Sequence, residues 1–326
     1  MEKLVELEDI RKAREALPPA IRRTPIVPLS RDSSGVGQEK LFLKAENLQV
    51  TGAYKPRAAF TVLHFQSPEE RARGVVLSSS GNFAQGFAYA GACLGLPIVV
   101  VMMDRASPTK VEATRGYGAE VVFCGNDPLA RQPKVAEIAQ TRGMTEIDTW
   151  ENHMVVAGHA SIGLEIVEDF PDVETILVPV SSGGLAAGVA TAVKLSRPDV
   201  KVIGVQPVKA NAAYVSLQKG EPTTIDYWDT LADGLSAVRP GGLPFRHLQK
   251  YLDEIVLISE EDLAAAFRVL LFRAKLMGEP AGVVAPAAYL TGKVDVGRKT
   301  VALLSGGNVT ESVVQKMLQM SASGER

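Results

Sequence analysis

A chain of 326 residues with 46% hydrophobic content is long enough for one large domain or two ordinary ones and can bury a substantial core. A formal charge of -2 without a basic stripe argues against a nucleic-acid partner, and the two cysteines, Cys93 and Cys124, exclude a disulfide framework and read as buried thiols in a reducing compartment. The charged opening MEKLVELEDIRKAREAL has no secretory core, no run of about eighteen apolar residues offers a membrane span, and the expected location is the cytoplasm.

In chain order, Leu7 to Leu17 has helical spacing and stops at Pro18-Pro19, after which Arg23-Thr24-Pro25 reads as an extended arm. Leu41 to Ala45 is a strand leading into a turn at Thr51-Gly52. Pro56, whose missing N–H costs nothing in a first turn, then opens a helix with Ala58, Ala59, Val62 and Leu63 on one face. Strands at Val75 to Ser78, Pro97 to Met102 and Ala119 to Cys124 alternate with helices at Asn82 to Leu94, Pro108 to Tyr117 and Asp127 to Thr141. The alternation resumes with a helix from Val155 to Phe170, a strand from Thr175 to Val180, a helix from Gly184 to Leu195 and a strand from Val202 to Val205. Residues 207–250 read as an irregular covering segment. A strand at Glu254 to Ile258, a helix from Glu260 to Met277 with Ser259 and Asp262 spaced for reciprocal capping, and a last strand at Thr300 to Leu304 follow. Repeated β-α units of this length imply parallel sheets with helices on their faces.

Lys55 lies between the Thr51-Gly52 turn and Pro56, at the mouth of a helix. A partly desolvated amine loses preference for its charged form and becomes a nucleophile toward a carbonyl cofactor, the chemistry of a Schiff base; a solvated surface lysine is the plain alternative. Three small-residue turns, at Ser78 to Gly81, Ser181 to Gly184 and Ser305 to Asn308, each follow an apolar run. In the run from Val178 to Leu185, a strand, a turn and a helix start direct free N–H groups and a helix dipole at one spot, which suits a phosphate; a tight turn with no ligand is the alternative.

The segment from Lys44 to Phe60, KAENLQVTGAYKPRAAF, resembles the lysine segment of the pyridoxal-phosphate (PLP) enzymes of fold type II, the tryptophan synthase β-like family, and most closely the threonine/serine dehydratase and serine racemase branch. Lys44, Glu46, Gln49, Thr51, Gly52, Lys55, Arg57 and Ala59 carry the resemblance, which continues to about Asn308. It implies an α/β fold of two open twisted α/β/α lobes with the cofactor in the cleft between them. Residues 1–45 and 151–326 would form a large cofactor-binding domain and residues 46–150 a small substrate-binding domain. It further implies pyridoxal 5'-phosphate on Lys55, with its phosphate at Ser181, Ser182, Gly183, Gly184 and Leu185. Asn82 would reach its ring oxygen, Tyr54 and Glu279 would lie beside the ring, and Ser305 would face the pyridine nitrogen. A hydroxyl there does not hold that nitrogen protonated, which favours prompt loss of a β-substituent over a long-lived carbanion.

For the substrate, the same resemblance offers Ser79, Ser80, Gly81 and Asn82 to the carboxylate, with Arg131 as a further contact and Phe83, Trp150 and His159 around the side chain. With Lys55 as base and Ser80 or the cofactor phosphate as acid, the expected reaction is loss of water from a β-hydroxy-α-amino acid, giving a 2-oxo acid and ammonia. Racemisation, β-replacement and PLP binding without turnover remain open on the same frame. A homodimer is implied by the resemblance alone.

Departures from the family pattern sharpen the expectation. Ser181 and Ser182 stand where glycines are usual, Phe83 where histidine is, Trp150 in place of a more polar residue, and His159 in place of glutamine. Two large rings fit a wider apolar pocket and a phenylserine-like substrate, with ordinary packing aromatics as the alternative. Gln206 to Ala212 lacks the two carboxylates with which many of these enzymes bind a divalent cation, so no metal is expected and the Lys209 ammonium is the candidate replacement charge.

Overall fold

The computed structural model describes residues 3–29, 40–294 and 299–323. Helix α1 (Leu7–Glu15) buries Ile10 and Ala13 and is closed at its start by Glu6 and Asp9. Strands β1 (Ile26–Leu29) and β2 (Leu41–Ala45) follow, then α2 (Pro56–His64) and a short α3 (Pro68–Arg73) with a Ser67–Glu70 capping box. The units β3 (Val75–Ser78), α4 (Asn82–Leu94), β4 (Ile98–Met102), α5 (Pro108–Gly116), β5 (Glu120–Phe123), α6 (Arg131–Arg142) and β6 (Thr145–Glu146) build a four-stranded sheet in the order β5-β4-β3-β6. All of its pairings are parallel.

The rest of the chain is α7 (His153–Asp169), β7 (Thr175–Pro179), α8 (Gly184–Ser196), β8 (Lys201–Pro207), α9 (Ala212–Lys219), α10 (Gly242–Tyr251), β9 (Glu254–Ile258), α11 (Glu260–Val269), α12 (Pro280–Leu290), β10 (Thr300–Leu304) and α13 (Glu311–Ser323). With β1 and β2 it forms a six-stranded sheet in the order β1-β2-β10-β7-β8-β9, parallel except for the β1–β2 pair. Strands β7 and β10 are buried throughout, as expected of strands covered by helices on both faces.

Helix α7 crosses both α2 and α8 at backbone distance. A Cβ built at Gly158 would stand 2.7 Å from Ala58 Cα, and one at Gly188 would stand 2.5 Å from the Val156 carbonyl oxygen. Close crossing fixes where the first turn of α2 sits relative to the first turn of α8, and a parallel sheet presents both at the carboxyl ends of its strands, where ligands bind.

Three expectations need correction. Residues 207–250 are not irregular throughout: they contain α9 and α10. Pro244 lies in the first turn of α10, and the first N–H groups of that helix are capped from far away by the Glu151 carboxylate. The helix expected from Glu260 to Met277 ends at Val269, opens into a π turn over Leu270–Ala274 and breaks at Lys275, φ 58°; that break releases the chain toward Gly278 and Glu279. Cys93 is exposed and Cys124 half-buried, because Cys93 falls on the last turn of α4 just before Gly95 leaves the helix.

Candidate active site

The Lys55 turn is gripped by the turn that ends β10. Tyr54 N–H donates to the Ser305 carbonyl at 3.2 Å, Gly307 N–H donates to the Gly52 carbonyl at 2.8 Å, and Ala53 pairs with Gly306 as an isolated bridge. Gly52 has a positive φ of 73°, and a Cβ there would stand 2.3 Å from Asn308 Oδ1, so the turn needs glycine on both counts. From this base the Lys55 side chain extends between two rings: its Nζ lies 4.7 Å from the Tyr54 centroid and 4.6 Å from that of Phe83.

Two residues further on, Arg57 anchors α2. Its guanidinium is completely buried and binds Glu46 at 2.8 and 2.9 Å and Glu165 at 2.6 and 2.9 Å. Lys44, also buried, completes the group through Glu165 and the Thr24 carbonyl, both at 2.7 Å. Burial opposes ionisation of Glu46, but the charge and hydrogen bonds of Arg57, joined by Lys44, outweigh it and hold the carboxyl below its ordinary range. Glu165 is invisible to motif reading except as the one acid inside the apolar stretch of α7, and its role emerges only from the packing of α7 on α2.

On the other side, α4 begins after β3 with Gly81 as N-cap and no capping side chain. Its first residue, Asn82, donates its amide N–H to Glu279 Oε1, and its Oδ1 accepts from Asn308 Nδ2 at 2.9 Å. Asn308 also donates to the Thr51 carbonyl, which ties together three turns from distant parts of the chain. Glu279 is 4% exposed; burial, the largest influence, pushes its carboxyl up to about 7. Ser79 Oγ accepts the Gly81 N–H at 3.4 Å, whereas the buried Ser80 Oγ has no hydrogen-bond partner.

The turn after β7 forms the third wall. Gly183 caps α8 with φ +105° and supplies no side chain, so the first-turn N–H groups of Gly184 and Leu185 have no capping side-chain acceptor. Ser181 Oγ accepts the Ala237 N–H and the Ser182 carbonyl accepts the Gly241 N–H, which orients the turn. His159, from α7, is 1% exposed and packs tilted against Tyr54 and Phe83, with ring centroids 4.8 and 5.9 Å apart. Ser305 ends β10 at 5% exposure beside the Tyr54 backbone.

Lys55, Tyr54, Phe83 and His159 thus form one group, and Ser305, Asn82 and Glu279 are bonded to the turns that hold it. Arg131 opens α6 beyond β5, with its charge felt by Cys124. Trp150 is half-buried in a turn capped by Asp148, and among the described residues no hydrogen bond or ring contact joins it to Lys55. Asn308, like Glu165, contributes beyond the motif residues; its mark in the sequence is its place closing the Ser305-Gly306-Gly307 turn.

Where a cation was not expected, the buried Gln206 amide donates to the Val180 and Ala210 carbonyls at 3.3 and 3.2 Å and accepts the Tyr214 N–H at 2.8 Å. Lys209 is exposed and its charge bears on Glu261, and the Gln206 amide makes its bonds to Val180, Ala210 and Tyr214 and not to that ammonium. Among the described residues no cluster of three or more His, Cys, Asp or Glu could hold a metal ion.

A family model described as pyridoxal-phosphate dependent enzyme matches residues 17–306. An L-threonine ammonia-lyase of Thermotoga maritima is 40% identical over 316 residues, 97% of this chain and 78% of that protein. An L-threonine dehydratase catabolic TdcB of Staphylococcus aureus is 37% identical over 320 residues, 97% of this chain and 92% of the other. Among solved structures, the processed form of threonine deaminase isoform 2 from Solanum lycopersicum superposes with a TM-score of 0.89 at 30% identity, over 97% of this chain and 93% of that one. Maize serine racemase superposes with a TM-score of 0.91 at 28% identity, over 99% and 100%.

Proposed function

The chain belongs to the family of pyridoxal-phosphate dependent enzymes, and from that premise we propose that it is an ammonia-lyase of the threonine and serine dehydratase type, acting on a β-hydroxy-α-amino acid with a bulky apolar or aryl β-substituent. The observation that carries the substrate class is the aromatic setting of Lys55, whose Nζ lies 4.7 and 4.6 Å from the Tyr54 and Phe83 ring centroids. An apolar wall next to the reacting amine favours an apolar side chain and leaves a small polar one poorly solvated. The two sheets support a division into a small domain of residues 46–150 and a large one of residues 1–45 and 151–326.

The residues present fit the cofactor. Lys55 offers an amine to an aldehyde, the first turn of α8 offers N–H groups without a side-chain cap to a phosphate, and the Ser80 hydroxyl is buried without a partner. Bound pyridoxal phosphate supplies the electron sink that acidifies the α-hydrogen of an amino acid. In this reading the Lys55 amine removes that proton, and the Ser80 hydroxyl gives a proton to the departing β-hydroxyl. The turn at Ser79, Ser80 and Gly81, before the uncapped start of α4, receives the substrate carboxylate. Asn82, fixed between Glu279 and Asn308, orients the cofactor ring, and Ser305 sets a neutral hydroxyl rather than a carboxylate at the end of β10.

The test is ammonia release from a panel of β-hydroxy amino acids. A kcat/KM for phenylserine about tenfold or more above those for L-threonine and L-serine is expected, since an added apolar group in a fitting pocket contributes on the order of 1–3 kcal/mol. Higher values for serine or threonine would overturn the substrate class and leave the lyase standing; no ammonia from any of them would overturn the lyase. The unpartnered Ser80 hydroxyl, a second group able to hold a proton, favours racemisation as the alternative reading. Chiral analysis of residual substrate separates the two.

A further inference from the structure

His159 is unusual for a residue in the middle of a core helix: at 1% exposure, neither of its ring nitrogens makes a hydrogen bond of good geometry, and the polar group nearest to the ring is the Gly184 backbone at the start of α8. An unpaired buried polar group costs about 1–3 kcal/mol, so its presence calls for an explanation, of which a ligand, ion or water that completes the bond is one. Tyr54 and Phe83 lie tilted against the ring, at centroid distances of 4.8 and 5.9 Å, and pack it in place. Its Nδ1 points at the first turn of α8: a Cβ built at Gly184 would stand 3.7 Å from it.

We propose that His159 is a phosphate ligand, donating a ring N–H to the anionic group of the cofactor held at the start of α8, and is not part of the substrate side-chain pocket. This rests on the reading that Ser181 to Leu185 takes the phosphate. Gly183, with φ +105°, and Gly184 keep side chains out of the space between the ring and the helix start, so an anion there meets N–H groups from one side and the imidazole from the other. The arrangement also accounts for two departures from the family pattern at once. Serines in place of the first two glycines restrict backbone approach, and an imidazole in place of the glutamine supplies a donor from the opposite wall.

The ring's ionisation agrees with this placement. Burial first, then the charge of Lys55, lowers the pKa of His159 well below that of an ordinary histidine; a weak hydrogen-bonding pull from the Gly184 backbone raises it slightly, which places the ring against the first turn of α8, and Arg57 lowers it a little further. A neutral imidazole still has one N–H to give, so the contact needs no proton uptake.

Paired ligands supply the test: pyridoxal phosphate and pyridoxal, which lacks the phosphate, each titrated spectroscopically into apoprotein prepared from the full chain. His159→Phe keeps a ring between Tyr54 and Phe83 and removes the donor. It is expected to weaken pyridoxal phosphate binding about ten- to hundredfold, the range for a hydrogen bond to a charged group, with pyridoxal changed less than about threefold. His159→Gln, which keeps an N–H donor, is expected to restore most of the loss. Equal losses for both ligands would show a packing role and overturn the proposal, as would unchanged affinities with a raised KM for the amino acid. Wild-type protein that failed to prefer the phosphorylated ligand would overturn the assignment of the α8 turn itself. If His159→Phe does not fold, the 15N resonances of labelled histidine in the wild type decide: a ring nitrogen absent from His159→Gln must shift on loading with pyridoxal phosphate and stay in place with pyridoxal.

Discussion

Helices α2 and α7 enclose two buried polar groups within a few residues of each other, and the two have been built to opposite rules. Around Arg57 every charge has a partner: Glu46, Glu165 and Lys44 close a set of hydrogen bonds in a space almost closed to water. Around Lys55, two residues earlier, Ser80 and His159 carry buried polar atoms without partners, and Glu279 holds its proton to about pH 7. A satisfied group is rigid and orients what is attached to it, whereas an unsatisfied one is poised for a ligand. The first group therefore supports the second, by fixing the helix turn from which Lys55 projects.

The contrast is broken most severely at Lys55. Lys55→Ala is expected to lower kcat by about a thousandfold or more with thermal stability within a few degrees of wild type, as steady-state assays and calorimetry would show. A matching loss of stability would place Lys55 in the structural group instead. Arg57→Met should do the reverse, costing about 3–5 kcal/mol in urea unfolding because it strands Glu46 and Glu165 in the interior. Little change would mean that the buried charges are hydrated.

Glu279 offers a test through pH. Its carboxyl titrates near 7 when folded against 4.5 in an unfolded chain, so the folded state holds the extra proton. This contribution is complete below about pH 4.5 and lost as pH rises through 7, a change of about 3 kcal/mol. In the apoprotein, the stability advantage of wild type over Glu279→Gln should fall by that amount across the interval; a constant difference would return Glu279 to the ordinary carboxylates. Ser80→Ala sharpens the comparison further. Removing a hydroxyl that bonds nothing should leave stability within about 0.5 kcal/mol while kcat drops about a hundredfold. The smallest effect belongs to Lys110, which reaches Asp233 at 2.5 Å; Asp233 is 62% exposed. Lys110→Ala should cost less than about 1 kcal/mol, and that little should vanish in high salt.

Much of this site could be read before any coordinates, for local reasons. The lysine turn, the serine-glycine turns at 78–81, 181–184 and 305–308, and the strands before them depend on neighbours within a few residues, so their residue types reveal them. Asn308 and Glu165 acquire their roles from partners more than 100 residues away, and the Gln206 amide joins two local bonds to one with Val180, 26 residues back; their own neighbourhoods mark them only by a turn end and by a lone acid in an apolar stretch. The same holds for α10, whose glycine-rich start is stabilised by Glu151, 91 residues earlier. After β9 the apolar periodicity continues through Leu270–Ala274 while the backbone there widens into a π turn, so periodicity alone overstates that helix.

By itself the sequence determined the alternation of strands and helices, the presence of one special amine and the turns able to hold an anion, because these follow from side-chain period and backbone freedom along a few residues. Only the tertiary structure decided which buried polar atoms are paired and which stand open. That depends on how helices from separate parts of the chain cross: Gly158 and Gly188 let α2, α7 and α8 approach to backbone contact, and so bring His159 against the turn at Gly184.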